Sequence, residues 1–154
     1  IMENSILGEL TYEYGWNGET TIDWFGKSIN VDLVVSGEED GEIDFLQCES
    51  YEKFRLAWND IKDVILERVL SYYIRLRNEL GYDDNNDENY PAISNIDDIK
   101  NRITLDSIVV PLSGIYEGRS VALAFHCEWD TENGLGIILV NEKIYDIGYQ
   151  DIAF

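Results

Sequence analysis

Residues 47–80 read QCESYEKFRLAWNDIKDVILERVLSYYIRLRNEL, and within them Phe54, Trp58, Ile61, Ile65, Val69, Tyr72, Leu76 and Leu80 are spaced by four, three, four, four, three, four and four. Steps of three and four put these side chains on one side of a helix, so the stretch predicts one long amphipathic helix with a single apolar stripe. Asn59 and Asp60 favour caps over helix interiors, which makes the Trp58–Asp60 step the least costly place for a kink or a split. Gly81 suits the C′ position, where a left-handed backbone ends a helix. Six acids and six bases lie between Glu49 and Glu79. The helix is therefore neutral, and its bases can pair along it or across to a neighbouring layer at about 0.3–0.5 kcal/mol per exposed pair.

The upstream flank changes to a period near two. Upstream, Leu10, Tyr12 and Tyr14, then Ile22 and Trp24, then Ile29, Val31, Leu33 and Val35 alternate with polar residues, which predicts strands. Breaks at Gly15–Gly18 and at Gly26-Lys27 predict two successive hairpins, an antiparallel meander. Ser36–Glu42 carries too much like charge to pack and reads as a solvated loop, as does Tyr82–Pro91. Ser94 or Asn95 caps a short helix over 96–102. Strands follow over 104–112, 121–129, 135–140 and 143–148, the last two joined by the two-residue loop Asn141-Glu142. Strands clustered on either side of helices, without regular alternation, indicate one α+β domain over residues 1–154: an antiparallel sheet with the long helix packed on one face.

The 154 residues hold 31 Asp plus Glu against 11 Lys plus Arg, a formal charge of −20. Nucleic-acid affinity comes mainly from Lys and Arg displacing counterions, so a nucleic-acid partner is excluded, and an anionic membrane for the same reason. With 45% hydrophobic and 12% aromatic residues the chain can build a core despite its charge. No apolar run approaches the roughly 20 residues needed to cross a bilayer. Met2 reads as an initiator, and no basic-then-apolar leader opens the chain. Cys48 and Cys127 then read as buried, reduced thiols of a cytoplasmic protein in preference to a disulfide.

Few residues suggest chemistry. His126 and Glu128 share a His-x-Glu fragment with zinc deaminases, but the second motif with two further cysteines is missing. On a strand, His126 and Glu128 face one side while Cys127 faces the other. Asp83, Asn85 and Asp87 have the first three spacings of a calcium loop, but Glu88 stands where glycine is required and Ser94 where a bidentate Glu is required. Gly134 and Gly136 lack the third glycine and following helix of a dinucleotide site. No cofactor and no metal site is expected. Trp16, beside two glycines in the expected hairpin turn, is a candidate exposed anchor for a protein partner.

The last quarter, Phe125 to Phe154, contains Trp129-Asp-Thr-Glu-Asn-Gly-Leu-Gly136 and ends in Gly148-Tyr-Gln-Asp151. It resembles the end of a family of uncharacterised bacterial domains with a Trp-Asp-x-Glu-x-Gly-Leu-Gly turn and a closing Gly-x-Gln-Asp. The run Thr104–Pro111, the Tyr90-Pro91 pair and the helix around Tyr51–Trp58 are similar too. These are structural residues: Asp130 and Asn133 close a turn, Gly134 and Gly136 permit close packing, Gln150 and Asp151 satisfy backbone groups. The resemblance implies association with polymorphic toxin and contact-dependent growth inhibition loci, where small acidic proteins serve as immunity factors.

On that basis the expected function is a non-enzymatic immunity protein, monomer or weak dimer, that binds a basic cognate toxin, such as a nuclease, and occludes its active site. Its contact set is Glu38, Glu39, Asp40 and Glu42 in one loop, Asp83, Asp84, Asp87 and Glu88 in the other, and Trp16. The alternatives are a small hydrolase or metal-dependent enzyme around His126, and a scaffold domain with no toxin partner.

Overall fold

The computed structural model describes residues 1–82 and 87–154. Ten elements follow in chain order: β1 (Met2–Asn4), β2 (Gly8–Tyr12), β3 (Trp16–Trp24), β4 (Lys27–Val35), α1 (Phe45–Glu79), α2 (Ile96–Lys100), β5 (Ile103–Val110), β6 (Ser120–Cys127), β7 (Leu135–Val140) and β8 (Lys143–Gly148), with a 3-10 turn over Gln150–Ala153. The fold is α+β, as expected. All eight strands join one sheet in sequence order. Two antiparallel meanders, β1–β4 and β5–β8, meet at a single parallel pair, β4 with β5. The parallel pair follows from the connection: a chain that leaves β4, runs the length of α1 and returns through α2 re-enters the sheet in the same direction.

Asp44 starts α1 through a reciprocal capping box. Its carboxylate accepts from the N–H groups of Leu46 and Gln47, and its own N–H donates to Gln47 Oε1 at 3.2 Å. The Ser113 hydroxyl also donates to Asp44, and these donors hold the carboxyl below its ordinary value despite some desolvation. At the other end Tyr82 N–H reaches Arg77 O at 2.9 Å and Gly81 N–H reaches Asn78 O at 3.1 Å, with Gly81 at φ +86°. This is a Schellman ending, and it needs glycine. The helix runs unbroken through Asn59 and Asp60, which both face solvent. Trp58 Nε1–H donates to Asp23 O at 2.6 Å, pinning the site of the expected kink to the β3–β4 turn.

Phe54, Trp58, Ile61, Ile65 and Val69 are buried in the predicted stripe. Beyond Val69 the buried positions become Tyr73 and Arg77, while Tyr72 and Leu76 are only partly buried and Leu80 is exposed. A 3.6-residue turn drifts away from a strict three-four spacing over this length. The Tyr73 hydroxyl donates to Pro91 O at 2.6 Å and Arg77 Nε to Tyr90 O at 2.9 Å, so the last turns hold the returning chain. Tyr73 also packs on Trp129, with ring centroids 4.7 Å apart.

The core lies between α1 and one sheet face, where Leu10, Leu33, Val35, Ile108, Leu123, Phe125, Leu135 and Ile137 are fully buried. A smaller cluster on the opposite face, Val109, Ala122, Ala124, Ile138 and Ala153, is packed by Tyr116 and Ile152. Thus the far side of β5–β7 is covered by the 3-10 turn.

Two features of the meander differ from expectation. A short first strand, β1, pairs with β2; three residues are too few to show a period. The turn between β2 and β3 falls at Glu13–Gly15, where Glu13 N–H meets Gly15 O at 2.8 Å and Asn17 Nδ2 donates to Glu13 O and Gly15 O. Tyr14 takes the positive φ there and is fully exposed. Trp16 is therefore the first residue of β3, 7% exposed and edge-on to Tyr12 at 5.2 Å. The expectation of Trp16 as an exposed anchor is corrected: it is a core residue.

Candidate functional site

Among the described residues the far face of β1–β4 carries no helix. Side chains alternate along strands; with Leu10, Ile22, Val31 and Leu33 buried toward α1, Glu3, Glu9, Glu19 and Asp32 point the other way, and all four are exposed. The register sets Glu3 directly opposite Glu9 and Glu19 directly opposite Asp32. Like charges directly opposite cost about 0.2–1 kcal/mol per pair, so this register is a cost to the free protein.

A β-bulge extends the acidic row onto β5. Leu105 pairs with Phe125 and Ser107 with Ala124, which leaves Asp106 without a partner on β6. Burial pushes its carboxyl above the usual range, His126 pulls it down, Asp32 pushes it up again, and a hydrogen bond with Gln150 lowers it. His126 is opposite Thr104 and exposed, while Cys127 is fully buried on the helix side. Among the described residues no group of three or more His, Cys, Asp or Glu is arranged to hold a metal ion.

The cysteines do not join His126. Cys48 sits in the first turn of α1, where Asn4 Nδ2 donates to its sulfur at 3.8 Å. Cys127 donates to Asp130 O at 3.5 Å and lies near Tyr72, about 35 Å further along the helix at 1.5 Å per residue. Both thiols are free. Burial pushes the Cys127 thiol up to about 12, which keeps it protonated and removes it as a nucleophile.

The two expected contact loops lie apart. Glu38, Glu39, Asp40 and Glu42 are exposed in the connection from β4 to α1. Asp83 and Asp84 lie outside the described residues, as does Asn85 of the calcium-like spacing. Asp87 uses its carboxylate to accept from Asn89 and Tyr90 N–H at 2.8 and 3.2 Å, closing a turn; Glu88 is exposed beside a small cavity bounded by Tyr73, Arg102 and Trp129. Glu38, Glu39, Asp40 and Glu42 lie before the start of a helix about 50 Å long and the described Asp87 and Glu88 lie by its other end, a separation greater than a standard interface patch of about 800 Å² per partner can span. They belong to two surfaces, and the Glu3–Asp32 face is a third. Reading residues one segment at a time missed that face because it is assembled by register.

The closing segment does structural work. Asp130 O and Oδ1 accept from Gly134 and Asn133 N–H, and Gln150 Nε2 donates to Phe125 O at 3.2 Å. A Cβ on Gly136 would lie 2.4 Å from Tyr149 O. These residues seat the 3-10 turn on the sheet.

A family model described as a domain of unknown function, DUF6985, matches residues 6–154. The chain belongs to this family. No curated protein and no solved structure was found to match it. The family match begins after β1 and takes in β2–β8, both helices and the closing segment, so Glu9, Glu19, Asp32 and the bulge at Asp106 sit inside the family's domain and Glu3 lies outside it. No helix among the described residues is long and apolar enough to cross a membrane.

Proposed function

We propose that the chain is a non-enzymatic immunity protein that binds a cationic cognate toxin and occludes its active site. The observation that carries this reading is the two like-charge register pairs, Glu3 with Glu9 and Glu19 with Asp32, on a sheet face that no helix among the described residues covers. A fold loses stability by this arrangement, and a basic surface laid over it relieves the repulsion. The charge of −20 adds long-range steering, which raises association rates steeply at low ionic strength. The resemblance of the closing segment to a family of uncharacterised bacterial domains implies association with immunity loci, which supports the same reading.

The test is co-expression with the product of the neighbouring gene. Rescue of growth and a salt-sensitive 1:1 complex are expected. A neighbouring product that is harmless, or one whose toxicity the chain leaves untouched, overturns the proposal.

A further inference from the structure

β4 pairs with β3 along its whole length and β5 pairs with β6, but β4 and β5 pair with each other only from Asp32/Ser107 to Val35/Val110. Toward their N-terminal ends the two strands part, and the sheet forks. One side of the fork opens into a cavity of about 390 Å³ toward α2, lined by Trp24, Phe25, Ile29, Ile103 and Leu105. The other side is an open groove of about 690 Å³ lined by Asn30, Asp32, Thr104, Asp106, Gln150 and Phe154. Ile29, Thr104 and Leu105 border both.

The backbone of β4 is open here. Phe25 and Gly26, both at positive φ, make a two-residue turn, so Trp24 and Lys27 are its closing hydrogen-bonded pair. By alternation Ser28 and Asn30 then direct their N–H and C=O groups away from β3 and into the fork. Among the described residues no strand pairs with them on that side.

We infer that the fork accepts an extended polypeptide segment of alternating apolar and basic residues, which adds to the free edge of β4. Successive side chains of a strand point to opposite faces. One set enters the cavity against Trp24, Phe25 and Leu105, and the other meets Asp32 and Asp106. Lys27 and Lys100 border the apolar cavity, and Lys100 and Lys62 stand 5.6 and 5.0 Å from the Phe25 ring. They repel a basic residue on that side, which fixes the phase of the segment. Strand addition of this kind takes affinity from main-chain hydrogen bonds and specificity from alternate pockets. The inference rests on the protein-binding reading only in that the occupant is a polypeptide.

The test uses a labelled pentapeptide, Arg-Val-Arg-Val-Arg, with the intact chain. Saturable binding is expected, with amide shifts centred on Lys27–Asp32 and Ile103–Ser107. The shuffled peptide Arg-Arg-Val-Val-Arg, of equal charge, is expected to bind about tenfold more weakly, and Asn30→Pro, which removes an edge donor, to weaken binding about tenfold. If that variant does not fold, backbone N-methylation of the valines in one peptide and of the arginines in another removes the same donors from the ligand side. At least one of the two is expected to lose binding. Equal binding of alternating, shuffled and N-methylated peptides overturns the inference, leaving charge attraction alone. The same amides shifting with protein concentration in the absence of peptide overturns it too, by assigning the fork to a second copy. Peptide binding without toxin rescue refutes the proposed function and keeps this inference; rescue without peptide binding does the reverse.

Discussion

Glu19 on β3 and Asp32 on β4 are register partners, both exposed on the sheet face opposite α1. Their positions make the free protein less stable than it could be. Glu19→Gln is expected to stabilise the fold by about 0.2–1 kcal/mol in low salt, with the gain shrinking as salt screens the pair. Urea midpoints at two ionic strengths read this directly. A loss of stability shows that Glu19 makes a favourable contact the register does not provide.

Gln47 ties three segments to the start of α1. It is 2% exposed, and its Nε2 donates to Ser36 O at 2.9 Å, Pro111 O at 3.1 Å and Val110 O at 3.3 Å. Gln47→Leu keeps the volume but takes this donor from Ser36 O and Pro111 O, leaving Val110 O its bond from Ser36 N–H at 3.0 Å, and is expected to cost about 2–3 kcal/mol. Chemical denaturation checks it; a change under half a kcal/mol, about the surface-substitution range, shows that water takes over the bonds.

Trp16 separates a core role from a binding role. Trp16→Ala is expected to destabilise by about 3–5 kcal/mol as a large-to-small core substitution. An unchanged melting transition with weakened partner binding would restore it as an exposed anchor.

Alkaline stability follows from two groups held neutral. Burial pushes the Tyr73 hydroxyl from 10.0 to about 12 and the Cys127 thiol from 9.0 to about 12. Above the unfolded values the unfolded chain has lost protons that the folded chain keeps, so stability falls as pH rises from about 9 toward 12. Urea midpoints are expected to drop between about pH 8 and about pH 10.5, with a shallower drop in Cys127→Ala. The same slope in that variant and the parent removes the thiol from the account.

Gly136 marks how tightly the closing segment is seated. Its missing Cβ leaves room for Tyr149 O, which would otherwise lie at 2.4 Å, and for Ile152 Cγ1 at 2.7 Å. Gly136→Ala is expected to cost about 1–3 kcal/mol through this overpacking, read by thermal denaturation. An unperturbed melting temperature shows that the 3-10 turn shifts freely on the sheet.

Much of the scaffold was legible because its signals are local. The three-four spacing gave α1, glycine and Asn141-Glu142 marked turns, and alternation gave the strands upstream of the helix. Two things resisted. The β2–β3 turn depends on Tyr14 accepting a positive φ and on Asn17 closing the loop, neither of which a run of glycines announces, so Trp16 was drawn into the turn. The acidic face depends on register: Glu19 meets Asp32 only once the turn is fixed at Phe25-Gly26, and Asp106 joins the row only through a bulge. Loop acids, conspicuous as runs, drew the site assignment to opposite ends of a long helix.

The most direct test of the acidic-face account is the association rate of the chain with its co-expressed neighbour, measured by stopped flow across ionic strength for the parent and for Glu9→Gln/Glu19→Gln/Asp32→Asn. The account predicts a steep fall with salt in the parent and, at low salt, an association about tenfold slower in the triple variant. An identical rate and salt dependence in both proteins would contradict it.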